Sequence, residues 1–129
     1  FNISLVSGAT AITDGSTIAY IQTNGFGFLQ QEVGAFPTFY PVGNTSINPV
    51  SLSNSGTTDI ISVRVIDEVR EQGLSGNSVN EGVVNRTWLI EEATPGGTVL
   101  DASFSWTPSH EAPGFNNAHC SITRFNGTY

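Results

Sequence analysis

Apolar and polar residues alternate in short runs along this chain, and no window sustains the period of an amphipathic helix. The clearest run is "IISVRVI" at 60–66, where Ile61, Val63 and Val65 share one face while Ser62 and Arg64 take the other. Comparable runs predict strands at 17–23, 26–33, 36–42, 48–53, 83–90, 98–106 and 118–125. Clusters of Gly, Pro, Asn and Ser separate them, and Asn24-Gly25 is the signal of a tight hairpin. The stretch 67–82 reads as a long polar connection with room for one helical turn. About eight strands with turns at such spacing predict an all-β fold, an antiparallel β-sandwich of Ig-like or jelly-roll-like kind.

The same pattern names a core. Trp88 keeps step with Val84 and Ile90, and Trp106 with Leu100, Ala102 and Phe104, so both indoles are expected inside the sandwich. Cys120 is expected as a buried thiol on the strand face opposite His119. Pro41 and Pro49 flank a Gly-Asn-Thr-Ser turn, and prolines sit in sheets only at edges or bulges. That stretch therefore reads as a protected sheet edge, with a ligand loop as the rival reading.

Composition narrows the class. The chain of 129 residues fits one domain, 1–129, and has only 12% charged residues with a net charge of −7. All four cations are arginines, and an acidic surface without a basic stripe repels nucleic acid and anionic membranes alike. No apolar run approaches the roughly 20 residues of a membrane helix, which argues against direct membrane insertion. One cysteine allows neither an internal disulfide nor a zinc cluster. The chain opens on Phe1-Asn2-Ile3 and closes on Thr128-Tyr129, and it reads as a fragment of a longer multidomain polypeptide.

Catalytic chemistry finds little to stand on. "HEAPG" at 110–114 is not the HExxH of a zinc helix, and no GxSxG elbow occurs. Glu91, Glu92, Asp101 and Glu111 could converge at one end of a sandwich as a glycosidase pair, but Glu91 and Glu92 read as a strand ending in a solvated turn, so no enzyme is expected. Asp67, Glu68 and Glu71 form the densest acidic cluster, with Asp14 and Asp59 as helpers, and calcium is the cofactor such acids would take. Trp88, Trp106, Phe26, Phe28, Phe36, Phe39, Tyr40 and Phe115 could form a sugar-stacking face. Of these Phe39, Tyr40 and Phe115, beside prolines, are expected exposed, and with the amides of Asn44 and Asn116 they make a candidate glycan-binding set.

Three stretches also occur in a suggestive order: "FYPVGN…INPVSLSNSGTTDIISVRVIDEV", "VVNRTWLIEEATPGG" and "FSWTPSHEAPGFN". Together they resemble a β-sandwich module of large secreted and cell-surface, adhesin-like proteins of Bacteroidota. The resemblance runs from about Tyr20 to Tyr129. It implies a non-catalytic structural or adhesion module, extracellular or on the cell surface, often exported by the type IX system. Glycans or neighbouring domains of the same chain would be its partners; a carbohydrate-binding module is the alternative, and a small glycan-active enzyme a remote one.

Overall fold

The computed structural model describes residues 1–9 and 19–125. They hold eleven strands, more than the eight expected: β1 (Ile3–Ser4), β2 (Ile21–Gln22), β3 (Leu29–Val33), β4 (Thr38–Tyr40), β5 (Val42–Gly43), β6 (Val50–Asn54), β7 (Asp59–Ile66), β8 (Arg70–Gln72), β9 (Ser75–Ser78), β10 (Thr87–Glu92) and β11 (Leu100–Phe104). The fold is all-β and sandwich-like. Among the described residues the only helical pieces are the 3-10 turns Pro108–His110 and Asn117–His119. Threonine 17 and isoleucine 18, the start of the first expected strand, lie outside the described residues.

The chain divides into two compact units: Phe1–Ile66 with Trp88–Trp106, and Asp67–Thr87 with Thr107–Tyr129. In the first, one sheet runs β1-β3-β7-β10 and another β11-β6-β4, while β2 and β5 form a short parallel pair. Antiparallel register sets Leu29 opposite Val63 and Val33 opposite Asp59; in the second sheet Tyr40 faces Val50 and Ala102 faces Leu52. Alternation then turns Leu29, Val33, Ile61, Val63 and Val65 toward Tyr40, Val50 and Leu52, all essentially inaccessible to solvent. Each such side chain contributes about 1.5–3 kcal/mol by burial.

Polar side chains fasten the two sheets across this core. Gln31, on β3, is fully buried and its Nε2 donates to Phe39 O at 2.9 Å. Tyr40, on β4, returns the contact: its hydroxyl lies 3.2 Å from Gln31 O and 2.9 Å from Ile61 O. At the other side of the sandwich Trp88 Nε1 donates to Asn48 O at 3.0 Å, and its ring lies 4.9 Å from that of Phe104. Trp88 is thus half-buried and packed on the core rather than sealed within it, and Trp106 is half-buried too.

Several expectations change. Asn24-Gly25 does not close a hairpin, because β2 pairs in parallel with β5 and β3 pairs with β1 and β7. Gly25 is not in the left-handed region that a tight two-residue hairpin needs. The polar stretch after Ile66 folds as the β8–β9 hairpin, not as a helical turn. Residues 118–125 form no strand: Asn116 caps the turn Asn117–His119, and Cys120 follows it, exposed, with Sγ 3.4 Å from Asn117 O. The buried-thiol expectation fails because the strand that would have buried it is absent.

The proline stretch is an edge only in part. β4 does end its sheet. Pro41 behind it is buried, however, and its carbonyl accepts from Ile21 N at 2.7 Å. Pro49 leads into β6, the central strand, and accepts from Ser105 N at 3.0 Å. Proline here punctuates the passage between strands where carbonyls are used and an amide is not.

Candidate functional site

Strand alternation separates the first two ligand candidates. On β4 the side chain of Phe39 points outward and is 37% exposed, whereas Tyr40 is 0% exposed. Burial pushes the Tyr40 phenol well above the ordinary tyrosine range, and the hydrogen bond to Gln31 offsets this only in part. Tyr40 is a core residue, so it cannot form a surface platform with Phe39. Asn44 is half-buried, and its carbonyl accepts from Gln22 Nε2 at 3.1 Å and the Tyr20 hydroxyl at 3.4 Å. Phe115 (half-buried) and Asn116 (exposed) belong to the second unit, where Asn116 Oδ1 accepts from Ala118 N at 3.0 Å. The five candidates therefore divide between the two units.

The acidic cluster resolves into separate pairings. Asp67 Oδ1 lies 3.3 Å from Arg86 Nε, Glu68 Oε1 lies 2.9 Å from Arg70 Nε, and Glu71 Oε2 accepts from Asn77 Nδ2 at 3.1 Å. Asp59 accepts from Ile60 N and Thr94 N, each at 2.8 Å, and Asp14 lies outside the described residues. Among the described residues no three His, Cys, Asp or Glu side chains gather as metal ligands. Of the other carboxylates, Glu92 accepts from Thr98 Oγ1 at 2.6 Å, and Glu91 and Asp101 are exposed.

Among the described residues, each unit contains a hollow. In the second unit, Gly82 N and Asn85 N donate to Pro113 O and His110 O, and Ala112 N donates to Val83 O, all at 2.8 Å. This short pairing walls a polar hollow of about 260 Å³ lined by Asn80, Asn85, Arg86, Ser109, His110 and Glu111. Arg86 is almost enclosed and its Nη1 donates to Asn85 O at 2.6 Å. Burial first, and then the positive charge of Arg86, lower the His110 imidazole below the ordinary histidine value, with Asp67 opposing.

In the first unit a groove of about 200 Å³ is lined by Phe1, Ile3, Gln22, Asn24, Phe26 and Phe28, among others. The register that sets Leu29 opposite Val63 also brings Phe28 beside Arg64. The Arg64 guanidinium carbon lies 5.4 Å from the Phe28 ring centre and 5.7 Å from that of Phe26, while Nη1 donates to Gly25 O at 2.8 Å. Its Nε is buried with no hydrogen-bond partner among the described residues, and the two rings attract the cation instead. Phe26 is nonetheless 92% exposed. Sequence reasoning placed Phe26 and Phe28 on a strand and missed the arginine between them. Spacing put the rings at i and i+2, but that Arg64 lies beside them follows only from the register of β3 on β7.

Neither a family model, nor a curated protein, nor a solved structure matches the chain.

Proposed function

We propose that the chain is a non-catalytic structural or adhesion module of a secreted or cell-surface bacterial protein. The observation that carries this reading is the reciprocal fastening of the sheets, Gln31 to Phe39 O and Tyr40 to Gln31 O and Ile61 O. Buried, mutually satisfied polar contacts fix one arrangement of a core and resist sliding of its layers, as a spacer under load requires. The ordered resemblance to adhesin-like modules of Bacteroidota supports the same role, and with it an extracellular site reached by type IX export.

Pulling single molecules, with the chain held between marker domains of known unfolding force, tests the proposal. The sandwich should yield in one cooperative step, at a lower force in Tyr40→Phe. A gradual extension without a force peak, or turnover of a glycoside, ester or peptide substrate, would overturn it. Carbohydrate binding is the second reading, favoured by one observation: the Phe26 ring stands almost fully exposed yet is held by Arg64.

A further inference from the structure

The geometry points to a glycan-binding site at the Phe26 ledge, which takes a neutral pyranose stacked on the ring with its hydroxyls toward Gln22 and Asn24. The inference rests on the carbohydrate-binding reading and gives it a location other than Phe39 and Tyr40.

Three observations carry it. First, the ring is exposed but not loose. Arg64 sits 5.7 Å from its centre and is itself anchored to Gly25 O at 2.8 Å and against Phe28 at 5.4 Å. A ring already held in place loses little freedom when a ligand stacks on it, and this raises affinity for a given contact area. Second, the groove beside the ring combines apolar walls with amides. Ile3 and Phe28 lie near Gln22 and Asn24, and Gln22 Nε2 is steadied by Asn44 O at 3.1 Å. A pyranose has the matching two-sided chemistry: a C–H face that packs on an aromatic ring and a rim of hydroxyls that exchange hydrogen bonds with carboxamides.

Third, charge selects the ligand. None of the described side chains lining the groove is a carboxylate, and the nearby guanidinium of Arg64 already lies against two rings. Around it the protein carries a net charge of −7, which repels uronic or sulfated sugars. Phe1, Ile3 and Phe28 share the groove with the amides of Gln22 and Asn24, so the polar rim is what favours a sugar over an apolar protein contact.

The test is an amide-resolved NMR titration of the whole chain with cellotetraose, maltotetraose and xylotetraose, with trigalacturonate as the anionic comparison. Shifts should cluster on residues 22–28 and Arg64 with at least one neutral oligosaccharide and be absent with trigalacturonate. Phe26→Ala should weaken binding about tenfold or more, while Phe26→Trp keeps it. Phe36→Ala, which removes another ring that is 85% exposed, should leave it unchanged. Binding that persists in Phe26→Ala, or shifts centred on Phe39 or His110, would overturn the site while leaving carbohydrate binding in place. No shift with any neutral oligosaccharide at millimolar concentration would overturn both. Concentration-dependent self-association abolished by Phe26→Ala would also overturn it, because the ledge would then be a protein contact.

Discussion

Tyr40 joins two sheets through one oxygen. Its hydroxyl reaches Gln31 O and Ile61 O, both on the sheet opposite its own strand. Tyr40→Phe keeps the ring and its packing but withdraws the donor from a dry core. The expected loss is about 1–3 kcal/mol in urea unfolding, with little change in slope. The hydroxyl also ties stability to alkaline pH. Its pKa is raised in the folded state, so its contribution is fully present below the ordinary value of 10.0 and is lost as pH rises beyond that toward the folded value. Unfolding curves followed upward from pH 10 should fall more steeply for the natural protein than for Tyr40→Phe. That one of Phe39 and Tyr40 must be buried was legible in the sequence; that it is Tyr40, expected in the ligand set, was not. Thr38, Phe39 and Tyr40 are consecutive on a strand, so Phe39 and Tyr40 cannot both face solvent.

Turns between strands depend on close backbone approach. A Cβ on Gly56 would collide with Gly97 O and come within 2.9 Å of Val99 N. The same turn is held by Asn54, whose Oδ1 accepts from Gly56 N and Val99 N at 2.9 Å and whose Nδ2 donates to Thr57 O at 2.7 Å. Gly56→Ala should push the 97–99 segment away and cost about 1–3 kcal/mol, read by thermal or urea unfolding, with the largest NMR shifts at Val99 and Thr57. β3 and β6 were legible because their burial repeats every second residue, and β7 because its apolar residues Ile61, Val63 and Val65 do. β9 was not: Ser75–Ser78 is exposed throughout and offers no alternation to detect. The parallel partners of β1 and β2 were also invisible, since a periodic pattern reports which way a residue faces and not which strand lies beside it. Nor could spacing along the chain reveal the Phe26–Arg64–Phe28 cluster, which requires the β3–β7 register.

At the scale of the whole chain, the buried core belongs to one unit. Every described residue that is buried lies within Phe1–Ile66 or Trp88–Trp106, while Asp67–Thr87 and Thr107–Tyr129 contain none. The second unit is held by hairpin hydrogen bonds and by ion pairs such as Arg70–Glu68, whose side chains are 36% and 37% exposed. Such contacts contribute little individually. Hydrogen exchange should therefore run in two tiers, with Val79 and Ala112 exchanging well before Gln31 and Val63. Equal protection in the two units would mean that the second draws its stability from something other than burial.

The absence of lysine gives the placement of the arginines a further meaning. Trypsin-like proteases can cut only after Arg64, Arg70, Arg86 and Arg124, and they need several residues of extended, detached chain around the bond. Arg64 lies in the middle of β7, between two neighbouring strands, and the Arg86 side chain is only 7% exposed. Arg124 is exposed outside any strand. Limited digestion should therefore cut first after Arg124, then after Arg70 and Arg86, and after Arg64 only when the sandwich opens. The arginine in the middle of the sheet is thus the last to be cut, and its cleavage reports the opening of the sandwich itself.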